Sequence, residues 1–401
     1  MQYKYTKNHL LNSYTPLPIS FIKGNGVWLI DPNGNQYLDL IAGMGVTILG
    51  HSHPEITKVI TNQANKLLHV SNLVEIPEQT ILAKMLVDLT KLTNHPKEQP
   101  VKMFFTNSGA EAIETAIKLT RLFANFKNIL DPKIIVISNG YHGRTLAALS
   151  ASDQPAFKQG FEPLLNSFIH LELNNLEQLT YLGSSQNTLK PNIVAILLEP
   201  IQGVGGINLA NHDFLIKIRE ICSKNQWLLI FDEIQTGLGR TGKMFCYQHY
   251  NIQPDVLTIA KGLANGIPIG ACIIKQPFAD LFEPKSHGST FGGNPLACAT
   301  ALKTLEILTK NKLWEQAHDL GQYFITKLKQ KLTSDNILEI RGKGLMIGIE
   351  LNKPIPDLML YGLQQKLLFN VTRDKIIRLL PPLIIKKSEI DISVEKIILI
   401  L

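Results

Sequence analysis

The chain has 401 residues, more than one hydrophobic core usually supports, which predicts a large domain and a smaller one. Forty Lys and Arg against 33 Asp and Glu give a formal charge of +7. The basic residues are scattered and form no Lys/Arg run with interleaved aromatic residues, so we expect no nucleic-acid partner. No apolar stretch approaches the roughly 18 residues needed to cross a bilayer, so we expect no membrane span.

The cysteines show no metal-type spacing and no CxxC pair, and they lie far apart at Cys222, Cys246, Cys272 and Cys298. Such usage is typical of a reducing compartment. The first residues, MQYKYTKNHLLNSY, lack the apolar core of a signal peptide. We therefore expect a cytoplasmic protein without a bound metal.

The N-terminal segment, residues 1–50, contains two alternating runs in GNGVWLIDPNGNQYLDL, joined by a turn signal at 32–34. This pattern predicts a β-hairpin. From about residue 100, short β-branched runs alternate with helical segments at 110–126 and 213–225, which is typical of a mostly parallel sheet covered by helices. The predicted strands are 102–106, 134–138, 193–199, 228–233, 256–260 and 269–274.

The C-terminal part begins with the helical stretch NPLACATALKTLEILTK and continues with the strand-like GLMIGIEL and IIRLLPP. The sequence thus predicts an α/β fold with a large domain at 51–294. A smaller α+β domain is predicted at 295–401, and residues 1–50 are expected to join it.

The stretch FFTNSGAEAIETAIK places Ser108, Gly109 and Ala110 where a strand passes into a helix. Unpaired backbone N–H groups and the helix dipole make such a junction a site for anions, so a phosphate can bind there. The alternative is an ordinary N-cap and turn at Ser108.

Two charged residues stand at the ends of apolar runs: Asp232 ends LLIFD, and Lys261 follows VLTIA. Both are expected at the carboxyl edge of the sheet, where open α/β folds bind ligands. A buried carboxylate needs a cationic partner, such as a protonated pyridine nitrogen. A buried lysine favours its neutral amine, which can form an imine, whereas a lone lysine that extends to solvent is the alternative.

LLIFDE also matches the magnesium-binding strand of P-loop NTPases, and GLGRTGKM (237–244) matches G-x-x-x-x-G-K. Met244, however, occupies the position where a Ser or Thr must bind magnesium, and the stretch follows Asp232 instead of opening an earlier helix. A P-loop NTPase is therefore a remote alternative.

Two further motifs offer ligand-binding groups. GYHGRT (140–145) provides Tyr141, which can stack on a planar cofactor, and Arg144, which can bind a carboxylate. GSTFGGNP (288–295) places Ser289 and Thr290 among glycines, where hydroxyl and N–H groups can bind an anion. Structural roles, including a plain turn before the next helix, are the alternatives.

The motifs occur together and in order: NSGAEA, GYHGRT, LLEPIQG, DEIQTGLGRTG, AKGL, HGSTFGGNP and RGKGLMIG. The set resembles the class III aminotransferases, a family of fold type I pyridoxal-phosphate enzymes, and is most similar to acetylornithine aminotransferases. The resemblance covers nearly the whole chain. It implies transamination with pyridoxal 5′-phosphate (PLP), in a homodimer whose subunits share their active sites.

The resemblance also implies roles for single residues. Lys261 would bind PLP as a Schiff base and then act as the general base. Asp232 would pair with the pyridine nitrogen, Gln235 would bond the ring hydroxyl, and Tyr141 would stack on the ring, where the family more often has Phe. The phosphate would be bound by Ser108, Gly109, Ala110 and, across the dimer interface, Thr290.

For the substrate, the resemblance implies two carboxylate-binding arginines. Arg144 would bind the end away from the reacting carbon, and Arg378 in IIRLLPP would bind the carboxylate beside it. Ornithine aminotransferases have a tyrosine at the position of Met44, so Met44 speaks against free ornithine as the donor. It does not separate an N-acyl donor from 4-aminobutyrate.

One position departs from the family pattern. The family motif EPIQGE reads EPIQGV here, so Glu199 is kept, but Val204 replaces a glutamate that pairs with the arginine at position 378 during the first half-reaction. The leading hypothesis is transfer from acetylornithine to 2-oxoglutarate, yielding N-acetylglutamate semialdehyde and glutamate, in arginine biosynthesis. Donors of the 4-aminobutyrate or α-amino-acid type are the alternatives. A catalytically silent relative is disfavoured because Lys261, Asp232 and Gln235 are all present.

Overall fold

The computed structural model describes residues 9–92, 101–333 and 335–401. The strands are β1 (Lys23–Asn25), β2 (Trp28–Ile30), β3 (Gln36–Asp39), β4 (Val101–Thr106), β5 (Lys133–Ile137), β6 (Phe168–Leu171), β7 (Ile193–Leu198), β8 (Ile201–Gln202), β9 (Asn208–Leu209), β10 (Leu228–Asp232), β11 (Val256–Ile259), β12 (Gly270–Lys275), β13 (Ile337–Lys343), β14 (Met346–Leu351), β15 (Leu367–Leu368), β16 (Asn370–Thr372) and β17 (Ile376–Leu379).

The helices are α1 (Ala42–Gly45), α2 (Pro54–Lys66), α3 (Pro77–Thr90), α4 (Gly109–Phe126), α5 (Leu146–Ala151), α6 (Pro155–Lys158), α7 (Leu176–Leu182), α8 (His212–Asn225), α9 (Pro295–Lys310), α10 (Leu313–Lys331), α11 (Leu358–Gln364) and α12 (Lys387–Ile400). Short 3₁₀ turns occur at Lys190–Asn192, Cys246–His249, Lys261–Ala264 and Phe278–Leu281. Within α1 the backbone is left-handed, with φ of 63° at Gly43 and 71° at Met44.

A seven-stranded sheet forms the centre of the molecule, in the order β4-β12-β11-β10-β7-β5-β6. Strand β12 is antiparallel to both of its neighbours, and the other strands run in one direction. Strands β7 and β10 are buried along their whole length because helices cover both faces of the sheet. The predicted mostly parallel α/β sheet is therefore confirmed.

Each of the six predicted runs forms a strand, and each observed strand end lies within one residue of the predicted end. The sequence analysis missed β6, whose four residues lie at the sheet edge and are only half-buried along most of the strand. A short, partly polar edge strand gives little of the apolar signal on which strand prediction depends.

Helix α4 follows β4 along the chain and packs against one face of the sheet. Its apolar residues recur at helical spacing, and Ile113, Ile117 and Phe123 are buried beneath the sheet. Full burial of such a side chain contributes roughly 1.5–3 kcal/mol, so this face fixes the position of the helix and its N-terminus. The side chain of Ser108 caps that N-terminus by accepting from Glu111 N at 3.2 Å.

Strands from the N-terminal and C-terminal parts of the described chain form a small sheet in the order β1-β2-β3-β15. In this sheet, β15 pairs in parallel with β3. The predicted hairpin is β2–β3, and Asp31 closes its turn by accepting from the backbone N–H groups of Asn33 and Asn35. A separate antiparallel sheet, β13-β14-β17-β16, carries Arg378. The division of the chain at residues 50 and 294 stays a prediction.

All four cysteines are buried and unpaired. In the part of the chain that the structure describes, none of the helices combines the length and the apolar character that a membrane crossing requires.

Candidate active site

A cavity of about 460 Å³ opens where the carboxyl ends of the parallel strands meet. The sequence predicts this edge as the ligand site because side chains that follow neighbouring parallel strands converge there. The lining residues that sequence analysis singled out are Ser108, Gly109 and Ala110 after β4, Tyr141 and Arg144 after β5, Glu199 and Val204 after β7, Asp232 and Gln235 at β10, and Lys261 after β11.

Lys261 lies half-buried in this cavity, and its ammonium group has no hydrogen-bond partner among the described residues. Its φ of 44° falls in the left-handed region, which is uncommon for a residue with a side chain and concentrates at functional sites. Burial lowers the pKa of Lys261 to about 8, although the negative charges of Asp232 and Glu199 oppose the shift. A useful fraction of neutral amine is therefore present near neutral pH.

Asp232 is buried and forms a pair with a histidine that the sequence analysis did not single out. Its Oδ2 lies 2.8 Å from Nδ1 of His142, and its Oδ1 accepts from Ile234 N at 3.1 Å. Burial opposes protonation of His142, but the hydrogen bond and charge of Asp232 outweigh burial and raise its pKa. His142 follows Tyr141 directly in GYHGRT, so its position after a strand was the available signal.

Gln235 extends towards the loop that follows β7. Its Oε1 is buried and has no hydrogen-bond partner among the described residues. A Cβ at position 203 would lie 2.1 Å from this oxygen, so a larger residue there would displace the Gln235 amide from its present position. A buried amide oxygen without a donor costs free energy, and a hydroxyl group of a bound molecule would satisfy it.

The N-terminus of α4 also lines the cavity. Ser108 is the N-cap, as one of the two interpretations predicted, and the first N–H groups of the helix lack partners within the helix. A Cβ at Gly109 would lie 2.8 Å from Cδ1 of Ile234, so glycine permits the close packing of this turn against the segment that follows β10. The cap and the anion site are thus compatible at this position.

Arg378 lies on β17, directly across from Asn370 on β16. Oδ1 of Asn370 accepts from Nε of Arg378 at 2.9 Å and from Nη2 at 2.5 Å, while Nη1 is buried and unpaired within the described chain. Met44 completes the contact, with Sδ 3.7 Å from Nη2. Burial lowers the pKa of Arg378 to about 10, with partial compensation by Glu199, so the guanidinium stays charged at neutral pH.

Glu199 does not bond to Arg378. Its Oε1 accepts from Gly203 N and its Oε2 from Tyr141 N, each at 2.9 Å, and burial raises its pKa. Val204 has its carbonyl oxygen bonded to Oγ1 of Thr372, at 2.8 Å, on the same strand as Asn370. Asn370 was missed by the sequence analysis because nothing near it along the chain indicates that β16 and β17 pair.

Arg144 is exposed at the rim of the cavity. Its guanidinium lies 3.5 Å from the ring centroid of Phe157 and 6.0 Å from that of Tyr141, and the two rings meet edge to face. Stacking of this kind orients an arginine without neutralising its charge.

Thr290 is exposed and lies outside the cavity that contains Lys261. With Ser289 it lines a second cavity of about 380 Å³ beside the end of β4, where Asn107 Nδ2 donates to Ser289 Oγ at 3.1 Å. Within one chain, therefore, the structure does not bring Thr290 to the other predicted phosphate-binding residues.

The segment 237–244 forms buried turns and opens no helix, so the P-loop interpretation is wrong. Arg240 is buried and donates from Nη1 to Leu345 O at 3.0 Å and to Pro381 O at 2.5 Å. Glu233 accepts from the backbone N–H groups of Cys246 and Tyr247, at 2.6 and 2.8 Å. These contacts connect the turns to the surrounding core and leave no phosphate-binding loop.

The arrangement as a whole is that of an α/β enzyme for a planar, phosphorylated cofactor: a lysine with a depressed pKa, a buried carboxylate, an unpaired amide oxygen and a helix N-terminus around one cavity. These groups fit PLP, which has a pyridine nitrogen, a ring hydroxyl, an aldehyde and a phosphate.

The chain belongs to the class-III aminotransferase family, whose model matches residues 10–401. Among its relatives are acetylornithine aminotransferases from Nitrosomonas europaea, 44% identical over 96% of this chain and 95% of that protein, and from Aquifex aeolicus, 45% identical over 96% and 97%. An ornithine aminotransferase from Toxoplasma gondii superposes with a TM-score of 0.91 at 32% identity, covering 98% of this chain and 92% of the other. An acetylornithine aminotransferase from Elizabethkingia anophelis gives 0.85 at 33%, covering 98% and 96%.

These likenesses confirm the fold type I transferase architecture and the aminotransferase activity. Enzymes of this class depend on PLP, so PLP is the cofactor, and the substrates are an amino donor and an oxo acid.

Proposed function

We propose that this aminotransferase moves the terminal amino group of N-acetylornithine to 2-oxoglutarate, yielding N-acetylglutamate semialdehyde and glutamate in arginine biosynthesis. The observation that carries the proposal is the near full-length likeness, at 43–45% identity, to several relatives named acetylornithine aminotransferase. Met44, beside Arg378, is consistent with an acylated donor and disfavours free ornithine.

In the proposed mechanism, bound PLP supplies an electron sink and an aldehyde that exchanges between amines. Lys261 would hold the cofactor covalently, and its amine would also carry a proton from the substrate carbon. Its depressed pKa suits this role because the neutral amine is the proton acceptor. Asp232, which is hydrogen-bonded to His142, would place its carboxylate group at the ring nitrogen, and Gln235 would bond the ring hydroxyl.

The remaining residues position the two ends of the bound molecules. The backbone N–H groups at Gly109 and Ala110, with Ser108, hold the phosphate, and Tyr141 packs on the ring. Arg144 binds the distal carboxylate of acetylornithine or 2-oxoglutarate, and Arg378 binds the carboxylate beside the reacting carbon. Glu199 positions the backbone that lines the cavity by accepting hydrogen bonds from Tyr141 N and Gly203 N.

The test is a half-reaction screen on the purified PLP form. Single amines are added, and the loss of the visible cofactor band is followed in one turnover. Acetylornithine should react fastest among the terminal amines tested, ahead of ornithine and 4-aminobutyrate. A faster reaction with 4-aminobutyrate would replace the proposed donor, and an absence of reaction with every amine would reject the mechanism.

We further propose a homodimer in which Thr290 reaches the phosphate of the partner subunit. Thr290 lies beside exposed apolar side chains, including Phe291 at 59%, Leu73 at 92% and Val74 at 56% exposure. Asn72 links the two segments by donating to the carbonyl groups of Ser289 and Gly292, both at 3.1 Å. A monomer seldom leaves such a group of large apolar residues in contact with water.

A subunit-mixing experiment tests the shared site. Thr290→Ala should release the cofactor phosphate more readily, because a hydrogen bond to a charged group contributes about 1.5–3 kcal/mol. Mixing Thr290→Ala with Lys261→Ala subunits should produce heterodimers in which one site carries both changes and the other carries neither. Failure to recover any site with wild-type cofactor retention, although heterodimers form, would show that Thr290 acts within its own chain.

We also propose a cytoplasmic location, because four buried thiols without disulfides fit a reducing compartment. Fractionation of cells that produce the protein would test it. Recovery outside the cytoplasmic fraction would reject this location.

A further inference from the structure

The turn that carries Lys261 has a strained backbone. Lys261 is the first residue of the 3₁₀ turn Lys261–Ala264, and its φ of 44° lies in the left-handed region. That conformation costs free energy for a residue with a side chain, so it persists only where the surrounding contacts enforce it. The contacts that hold this turn therefore decide where the lysine amine points.

Asn265 follows the turn directly and is also left-handed, with φ of 46°. Its side chain is buried, and both ends of its amide are bonded to one backbone segment: Oδ1 accepts from Leu49 N at 2.8 Å, and Nδ2 donates to Gly50 O at 3.1 Å. These bonds join residues that lie 216 and 215 positions apart in the chain. The amide thus pairs with this segment much as the backbone of a neighbouring strand would.

The segment that Asn265 contacts, residues 47–50, is also held by other parts of the chain. Ile48 O accepts from Leu383 N at 2.7 Å, after β17. His51, the next residue, pairs with Gly26 through two backbone bonds of 2.8 and 3.0 Å. The segment is therefore a fixed support against which the lysine turn can be held.

Close packing adds a second contact between the turn and this support. A Cβ at Gly262 would lie 2.7 Å from Cγ2 of Ile48, so the second residue of the turn lies directly against the segment 47–50. Val46, just before that segment, lines the same cavity as Lys261. Packing near the start of the turn and hydrogen bonds at its end hold it from both sides.

We propose that Asn265 is a positioning residue, which holds the left-handed turn at Lys261 and so directs the lysine amine towards the aldehyde of PLP. The inference rests on the proposed role of Lys261. Covalent capture forms a C=N bond between Nζ and the aldehyde carbon, and the two amine protons leave with the aldehyde oxygen as water. This step depends on how the amine approaches the carbon, whereas the predicted ring and phosphate contacts come from β4, β5, β10 and the residues after them.

The experiment separates covalent capture from noncovalent binding, with two probes added to the full-length protein after removal of its cofactor. Growth of the visible band gives the rate at which PLP is captured. The second probe, 4′-deoxypyridoxine 5′-phosphate, has the same ring, hydroxyl and phosphate but a methyl group in place of the aldehyde. Its dissociation constant therefore reports noncovalent binding alone.

Asn265→Gly is the main variant, because glycine keeps the left-handed backbone and removes only the two side-chain bonds. Capture of PLP should slow by about 10- to 100-fold, while the analogue should bind within about twofold of wild type, because a small misplacement of a reacting group lowers a rate without removing the other contacts.

Asn187→Gly is the matched control. The buried Asn187 amide makes the same pair of bonds, since it donates to Leu182 O at 2.9 Å and accepts from Leu189 N at 3.0 Å, but it lies outside the cavity. This variant should lose a similar amount of thermal stability and capture PLP at the wild-type rate.

Capture at the wild-type rate in Asn265→Gly would overturn the inference. So would an equal slowing in Asn187→Gly, or a loss of analogue binding as large as the loss of capture rate, because either result indicates a general disturbance of the fold. Lys261→Ala keeps the two hypotheses apart: a visible band in that variant would reject the proposed role of Lys261, whatever the result at Asn265.

Asn265→Asp is the second variant if Asn265→Gly does not fold. Aspartate also tolerates the left-handed region and keeps an acceptor for Leu49 N, but its carboxylate cannot donate to Gly50 O. It should slow capture as well, and a wild-type rate in this folded variant would overturn the inference.

Discussion

The proposed cofactor end of the site, at the cavity around Lys261, and the proposed substrate end, around Arg378 on β17, are built in different ways. Lys261 and Asp232 stand at the ends of adjacent strands in one buried sheet, and the phosphate end is the backbone of a helix packed on the same sheet. Arg378 instead depends on Asn370 from a neighbouring strand and Met44 from a left-handed turn more than 300 residues earlier. One buried sheet thus carries the proposed cofactor-binding residues, while the residues proposed to select the donor sit on short segments that can change one at a time.

The largest expected effect removes the centre of the cofactor end. Lys261→Ala should lower turnover by about 10⁴-fold or more, because general-base catalysis and covalent attachment are lost together. The visible band of the attached cofactor should vanish, and far-ultraviolet circular dichroism should stay unchanged. Cofactor that borohydride still fixes to the Lys261→Ala protein would show that another amine performs this role.

A second prediction uses the depressed pKa of Lys261, which is about 8 instead of the ordinary 10.5. Only the neutral amine attacks the aldehyde of PLP, so the rate of covalent capture by the apoenzyme should fall about tenfold per pH unit below pH 8. Above pH 8 the rate should level. A rate that keeps rising to pH 10 would mean that the lysine is not desolvated by its surroundings.

A smaller effect is expected at the histidine behind the cofactor end. His142→Ala removes the 2.8 Å partner of Asp232, and loss of a charge-assisted hydrogen bond should weaken PLP binding by about 10- to 100-fold. His170→Ala is the matched control, because that half-buried ring lies near Asp153 and outside the cavity. Equal PLP dissociation constants for the two variants would contradict a role for the Asp232–His142 pair.

The smallest effect is expected at the substrate end. Met44→Tyr replaces a thioether that contacts Arg378 by a hydroxyl that can accept from it, and should raise the ornithine to acetylornithine rate ratio by up to about tenfold. Met44→Leu keeps the apolar character and should leave the ratio near that of wild type. If both variants behave alike, shape and not polarity selects the donor at this position.

The difference between the cofactor end and the substrate end also explains how much of the site could be predicted from the sequence. Asp232 ends one largely apolar run and Lys261 follows another, so the rule that parallel strands present their carboxyl ends together was enough to bring them to one cavity. The strand-to-helix junction at Ser108, where an anion site was one of two interpretations, was also visible in the sequence. His142, by contrast, carried no signal beyond its neighbours, because its pairing with Asp232 depends on the order of β5, β7 and β10.

Asn370 was out of reach for a related reason. The strands β16 and β17 are three and four residues long, too short for an alternating pattern to stand out, and only their register places Asn370 opposite Arg378. The location of Thr290 could be predicted only in part: its loop is where the motif predicted, but one chain does not bring it to the other predicted phosphate-binding residues.

The pairing of β3 with β15 also has a consequence for synthesis on the ribosome. Lys366 donates to Asn35 across 331 residues of intervening chain, and β15 adds to β3 at the same place. During translation the edge of β3 that pairs with β15 therefore remains unpaired until nearly the whole polypeptide has left the ribosome. Such long-range pairing slows folding. Because Arg378 follows β15, the nascent chain completes the proposed substrate-binding end last, so we expect truncated translation products to lack transaminase activity and to expose a strand edge that favours aggregation.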